Sequence, residues 1–207
     1  MRLCVAAALA AAVAGCAAIA TQDAARGPSP EEVKAVLQSS FQAKGQAKLD
    51  RLDQDEVQRL CSTVRPGHAL APEAAHRIEA AQMVAIRYPQ GSLVGDWKSG
   101  EKIAQQGTGK QYSDNPAQPS GGNCYACHQL DTAEVAYGNM GPSLHRFGAT
   151  RGYTAEMQKY VYAKVYDSDA FSACSNMPRF GHMGILTEQQ IKDVVALLMD
   201  PKSPVNQ

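Results

Sequence analysis

Two cysteines and a histidine stand close together in the middle of the chain, at Cys124, Cys127 and His128. The spacing C-x-x-C-H allows each thiol to add to one vinyl group of a porphyrin. The imidazole of the residue that follows can then reach the iron as an axial ligand. The sequence therefore predicts one covalently attached haem c and a function in handling electrons.

Two other chemistries also use closely spaced cysteines. A zinc ribbon needs a second cysteine pair, whereas the remaining cysteines are isolated in the sequence. These are Cys4, Cys16, Cys61 and Cys174. A thioredoxin-like redox pair needs a βαβ context, whereas residues 121–123 (GGN) predict a loop immediately before Cys124. Haem attachment is the interpretation that fits the pattern.

The second axial ligand must come from another part of the chain, and methionine is the usual choice in electron-transfer cytochromes. Met157 and Met199 fall on predicted helices, where packing is the simpler explanation. Met140 follows the motif too closely to reach the opposite face of the ring. Met177 lies in a loop, is followed by a proline and precedes the last predicted helix, so we predict it as the ligand. Met183 shares that loop and is the alternative.

Pro142 is expected to orient His128. Its carbonyl, in a Gly141-Pro142 turn, can accept the hydrogen of Nδ1 and so fix the tautomer of the ring. The same dipeptide would also be explained as an ordinary turn, and the sequence leaves both interpretations open. Of the other histidines, His68 and His76 are predicted to lie at the surface. His145 and His182 could also ligate the iron, but we favour hydrogen bonding or exposure to solvent for both.

Cys61 and Cys174 remain as an even pair once the motif and the leader are set aside. In an oxidising compartment such a pair predicts a disulfide, with two buried free thiols as the alternative. The bridge would tie the region around Cys61 to the loop that carries Met177. It would thereby limit dissociation of that ligand from the iron.

The first twenty residues have the composition of an export signal. Arg2 precedes an alanine-rich apolar run over residues 5–13, and residues 18–20 (AIA) match a small-x-small cleavage site. Residues 13–16 (VAGC) also resemble a bacterial lipobox, which would leave a lipid anchor on Cys16. We favour simple cleavage, because an alanine-rich segment often places a cysteine beside a glycine by chance. Either route predicts a periplasmic protein, in the compartment where disulfides persist.

The balanced charge argues against nucleic acid as a partner. Lys and Arg number 20, as do Asp and Glu, so the formal net charge is zero at pH 7, and the sequence contains no basic cluster. Aromatic residues make up only 6% of the chain. That low content is typical of a domain in which a porphyrin supplies much of the apolar core.

Capping signals and apolar periodicity predict an all-α protein in three parts. Residues 1–20 form the export signal, 21–90 a helical extension and 91–207 the haem domain. No alternating pattern of useful length predicts a strand. Helices are predicted from Ser29-Pro30 onward, over 53–61, from Pro72 to about Arg87, over 97–106, after Thr154, and after Thr187 with Ile191, Val194, Val195 and Leu198 as the apolar stripe.

Three segments resemble class I cytochromes c and, more narrowly, the SoxX family of monohaem cytochromes. They are residues 121–129 (GGNCYACHQ), 176–182 (NMPRFGH) and 200–206 (DPKSPVN). The resemblance covers the haem domain and implies a class I cytochrome c fold with an N-terminal helical extension. The extension itself resembles that of the longer family members only.

The resemblance implies a place in sulfur oxidation. SoxX pairs with SoxA in a heterodimer, SoxAX, which oxidatively couples thiosulfate to a cysteine of the SoxYZ carrier (an L-cysteine S-thiosulfotransferase). Bond formation is expected on SoxA, so this chain is expected to carry no catalytic residue. It would accept the released electrons and pass them to a soluble cytochrome.

Two other functions stay open from the sequence. The first is a free-standing periplasmic electron shuttle that donates to a terminal oxidase, without thiosulfate chemistry. The second is an enzyme such as a peroxidase, whose iron must open a coordination position. Ready binding of cyanide or peroxide to the oxidised haem would indicate the second.

Overall fold

The computed structural model describes residues 27–64 and 68–207. The predicted export signal, with Cys4 and Cys16, lies outside the described residues. Within these ranges the chain forms α-helices and short 3₁₀ helices without β-strands, apart from one isolated bridge between Lys44 and Ala47. The predicted all-α class is thereby confirmed. None of the described helices has the length and apolar character needed to cross a membrane.

The chain divides into two compact units between Gln42 and Ala43. In the first, helix α1 (Pro30–Ser40) begins with the predicted capping box. The Ser29 hydroxyl accepts a hydrogen bond from the Glu32 N–H at 3.2 Å, and the Glu32 carboxylate accepts one from the Ser29 N–H at 2.6 Å. No residue of α1 is buried.

Six further helices occur among the described residues of the second unit. They are α2 (Glu56–Ser62), α3 (Pro72–Ala85), α4 (Trp97–Gln105), α5 (Phe147–Arg151), α6 (Ala155–Tyr166) and α7 (Glu188–Met199). The predicted starts at Pro72, Thr154 and Thr187 are confirmed. The helix predicted over 53–61 begins later, because Asp55 is its N-cap and a 3₁₀ helix, Leu49–Leu52, precedes it.

The core of the second unit forms where α4 and α7 cross. Gly100 on α4 permits this approach, since a Cβ at that position would lie 2.1 Å from the backbone oxygen of Asp193 on α7. The predicted apolar stripe of α7 is buried at the crossing. Because α4 precedes the C-x-x-C-H motif and α7 follows the Met177 loop, the crossing fixes where the segment with the motif begins and where the Met177 loop ends.

Residues 44–46 hold the long loop that precedes the motif. A Cβ on Gly45 would lie 2.1 Å from the backbone oxygen of Tyr112, and the Lys44 ammonium lies 4.2 Å from the centre of the Tyr112 ring. The side-chain amide of Gln46 donates to the carbonyls of Gln111 at 2.7 Å and Asp114 at 3.1 Å. The extension from residue 43 onward thus packs within the same unit as the haem domain. The domain boundary between residues 90 and 91 stays a prediction.

Candidate haem site

A short 3₁₀ helix, Cys124–Ala126, and one side-chain contact position His128. The backbone N–H groups of Cys127 and His128 both donate to the Cys124 carbonyl, at 3.1 and 2.9 Å. Nδ1 of His128 lies 2.7 Å from the carbonyl oxygen of Pro142. Because a carbonyl only accepts, Nδ1 carries the hydrogen, and Nε2 keeps a lone pair that can bind a metal. The contact expected from the sequence is present, while ligation of iron by His128 stays a prediction.

Gly141 provides the space in which the His128 ring lies. A Cβ at residue 141 would come within 2.1 Å of Cε1, 2.4 Å of Nδ1 and 2.7 Å of Nε2 of that ring. The Gly141 N–H donates to the Cys127 carbonyl at 2.9 Å, which fixes the turn against the motif. The Gly141-Pro142 turn therefore does more than reverse the chain, because one residue leaves room for the imidazole and the next binds it.

Neither Cys124 nor Cys127 is joined to another cysteine among the described residues. Cys124 is half-buried as a residue, and its side chain packs against the main core, so burial raises the pKa of its thiol to about 12. A thiol with this pKa is protonated at neutral pH, unlike the thiolate of a thioredoxin-like redox pair. The motif also lies between loops and outside any βαβ unit in the described part of the chain.

Partly buried apolar side chains pack against the core cluster to which Tyr125 of the motif belongs. Cys124 and Met177 pack against the same core cluster, together with Leu144, Phe147 and Ile185. A haem is a largely apolar ring that needs such a lining, two thiols and an imidazole with a free Nε2. The residues present fit a covalently bound haem c.

Burial separates the candidate methionine ligands. Met177 is half-buried against the core, whereas Met183 is 48% exposed and Met140 is 76% exposed. Met199 is buried inside α7, and Met157 is a packing residue on α6. This pattern supports Met177 over Met183, and ligation by Met177 stays a prediction.

Both backbone polar groups of Met177 are held by serine hydroxyls. The Ser168 hydroxyl donates to the Met177 carbonyl, and the Ser175 hydroxyl accepts from the Met177 N–H at 3.2 Å. The Asp169 carboxylate in turn accepts from the Ser175 N–H at 2.8 Å. Ser168 and Asp169 were not predicted from the sequence, where an Asp-Ser-Asp run after an apolar helix indicates only a cap.

His182 contacts a carboxylate in this loop. Its Nδ1 lies 3.0 Å from Oδ2 of Asp167, which is fully buried, and the His182 side chain is 30% exposed. That oxygen makes no well-aligned hydrogen bond among the described residues, so the contact with His182 lacks good donor geometry and is an ion pair only when the imidazole is protonated. Burial raises the pKa of Asp167, although His182 and Arg179 act in the opposite direction.

A disulfide joins Cys61 on α2 to Cys174, with the two Cα atoms 5.4 Å apart. The pairing expected from the sequence is therefore present. Cys174 has φ +62°, in the left-handed region that few residues other than glycine adopt. The bridge attaches α2 to the loop at Cys174, three residues before Met177.

Residues 108–201 match the cytochrome c family. A protein of Aquifex aeolicus (strain VF5) named "Uncharacterized lipoprotein" is 36% identical over 202 residues, an alignment that covers 91% of this chain and 92% of that protein. Because this share exceeds the predicted haem domain, the similarity extends into the helical extension.

Proposed function

Because residues 108–201 of this chain form a cytochrome c family domain, we propose that the chain is a periplasmic monohaem electron carrier acting as the SoxX-type subunit of a SoxAX complex. One observation carries the proposal. The three segments that resemble SoxX each contribute a buried residue to a single core cluster: Tyr125, Phe180 and Val205. Segments far apart in the sequence thus pack around one core.

The chain's own residues would hold and orient the cofactor. Cys124 and Cys127 would attach it, while His128 and Met177 would ligate its iron. Haem, once bound, supplies a one-electron couple whose potential a methionine ligand raises. If His128 and Met177 both bind the iron, this chain would offer no position at the metal for a sulfur substrate. It is therefore suited to accepting electrons and not to forming the sulfur–sulfur bond.

The partner subunits would supply the remaining chemistry. Joining the cysteine thiol of SoxYZ to thiosulfate forms one S–S bond and releases one proton and two electrons. We place that step on SoxA, and this chain accepts the electrons one at a time and passes them to a soluble cytochrome. In this arrangement the chain is a non-catalytic subunit of an L-cysteine S-thiosulfotransferase.

Co-purification with the neighbouring gene products, followed by an anaerobic reduction assay, tests the proposal. We expect a SoxA-type protein to co-purify, and thiosulfate to reduce the haem only when SoxA and SoxYZ are both present. A stable monomer that no thiosulfate mixture reduces, but that donates electrons to a terminal oxidase, would contradict the SoxAX role. That result would favour the free-standing shuttle.

The relative named as a lipoprotein supports an anchor on this chain. Cys16 follows residues 13–15 (VAG) in a lipobox-like order. We propose that Cys16 becomes the lipid-modified N-terminus of the mature protein, which would keep the cytochrome at a membrane surface. One acyl chain gives only weak attachment, so a stable anchor needs more than one.

A further inference from the structure

Arg179 connects the helical extension to the loop that carries Met177. The Arg179 side chain is 7% exposed, and its Nη2 lies 2.5 Å from Oδ2 of Asp55. Its Nε lies 3.5 Å from Oδ2 of Asp169, and its Nη1 donates to the side-chain oxygen of Gln82 at 3.4 Å. Two of these three partners, Asp55 and Gln82, belong to the extension.

From Asp169 the contacts continue to Met177 itself. The second carboxylate oxygen of Asp169 accepts from the Ser175 N–H, and the Ser175 hydroxyl accepts from the Met177 N–H. Arg179 therefore positions Asp169, and Asp169 positions the turn that presents Met177. A guanidinium keeps its charge in any environment, so a buried one needs fixed carboxylates.

Asp55 has two functions at once. Its Oδ1 accepts from the Gln58 N–H at 2.8 Å and caps α2, while its Oδ2 faces Arg179. The same helix carries Cys61, which is bonded to Cys174. Helix α2 thus holds the loop on both sides of Met177, covalently before it and by an ion pair after it.

We propose that Asp55 and Arg179 are positioning residues for the Met177 ligand. They act through Asp169 and the loop backbone to lower the frequency with which the thioether leaves the iron. The helical extension thereby keeps the oxidised iron closed to small ligands. This inference rests on the proposed ligation by His128 and Met177.

The rate at which cyanide binds the oxidised holoprotein tests the inference, because cyanide can bind only after Met177 has left. We expect Asp55→Asn to bind cyanide about threefold faster than wild type, equivalent to ~0.6 kcal/mol of lost restraint. The reduction potential of this variant should also fall. Arg179→Lys should give an intermediate rate, since an ammonium keeps the charge but lacks the planar fork that spans two carboxylates.

Glu56→Gln is the matched control. Glu56 is the exposed carboxylate next to Asp55, and it forms no ion pair among the described residues. We expect its cyanide rate and reduction potential to equal those of wild type. Equal acceleration in both variants would show a general effect of lost charge and would overturn the proposal.

Two further outcomes separate the possible failures. If wild type shows the near-infrared sulfur-to-iron band and Asp55→Asn binds cyanide at the wild-type rate, the positioning role is overturned, even if the variant unfolds at a lower temperature. If wild type lacks that band, the assignment of Met177 fails, and the positioning proposal falls with it. The band thus tells the two failures apart.

Discussion

Gly141 lies against the imidazole of His128 so closely that a Cβ at residue 141 would come within 2.1 Å of Cε1. The ring has little freedom to move away, because Nδ1 is also held 2.7 Å from the Pro142 carbonyl. The position of the imidazole therefore depends on the absence of a side chain at Gly141.

Gly141→Ala is expected to displace the His128 ring and weaken its bond to iron. Overpacking of this kind typically costs about 1–3 kcal/mol. The measurements are the yield of holoprotein, the low-spin haem spectrum and the unfolding free energy. Gly27→Ala is the control, since a Cβ there meets no atom of residues 28–64 or 68–207 within 4 Å. A normal spectrum and stability in Gly141→Ala would contradict the predicted role of the turn.

Met177→Ala is expected to abolish the near-infrared sulfur-to-iron band and to lower the reduction potential, because the thioether ligand is lost. Met183→Ala should leave both unchanged, since Met183 is 48% exposed. Absorption spectra of the oxidised proteins and redox titrations make the comparison. Loss of the band in Met183→Ala alone would reverse the assignment.

Removal of the disulfide in Cys61→Ser/Cys174→Ser is expected to loosen Met177 more than it unfolds the domain. A disulfide typically contributes 2–4 kcal/mol. During heating, the temperature at which the sulfur-to-iron band disappears should fall further than the temperature at which helical circular dichroism is lost. An unchanged reduction potential together with unchanged thermal stability of the ligation would count against a tether acting on Met177.

The contribution of Asp55 to stability is expected to depend on pH. Burial raises the pKa of this carboxyl, but the Gln58 N–H and Arg179 together outweigh that effect and hold the pKa below its usual 3.8. Because the pKa of Asp55 is lower in the folded state than in the unfolded state, the ionised carboxylate stabilises the folded state. This stabilisation is complete above about pH 3.8 and is lost as the pH falls through the pKa of the folded state.

Urea unfolding of wild type and Asp55→Asn at several pH values measures this contribution. The Asp55 side chain is 37% exposed, so solvent screening limits the ion pair to about 1 kcal/mol or less. The stability difference between the two proteins should be constant above about pH 3.8 and shrink in stronger acid. A stability difference that does not change over this acid range would show that ionisation of Asp55 does not contribute to the stability of the folded state.

Labelling with palmitate in a bacterial host is expected to modify wild type and not Cys16→Ala. Only a cysteine at the lipobox position can receive the lipid, so Cys4→Ala, in the same leader, is the matched control and should remain labelled. Mass spectrometry of the mature N-terminus measures the same modification independently. A mature chain that begins at Thr21 and lacks label would establish simple cleavage instead.

Much of the fold follows from short-range signals. The Ser29 and Thr187 capping boxes and the Pro72 start depend on residues within one helical turn, and the structure contains each of them. The contact between His128 and Pro142 could also be predicted from the sequence, because a tight turn follows the motif after a short loop.

Apart from the disulfide, the restraints on Met177 could not be predicted from the sequence. Asp55 and Arg179 are 124 residues apart in sequence, and a charged residue gives no indication of its partner until the chain folds. In the sequence the proline after Met177 favours it over Met183, but the difference in burial between the two appears only in the folded chain. The close approach at Gly100 likewise depends on a crossing of two helices distant in sequence.

The bond between Cys61 and Cys174 closes a covalent ring, with a sequence separation of 113 residues, and the C-x-x-C-H motif lies inside that ring. Biogenesis must therefore direct four thiols of one polypeptide to opposite fates, two oxidised together and two kept reduced until the porphyrin arrives. A wrong pairing that used Cys124 or Cys127 would block cofactor insertion until thiol–disulfide exchange corrected it. Maturation of this cytochrome should accordingly require an oxidant and a reductant in the same compartment.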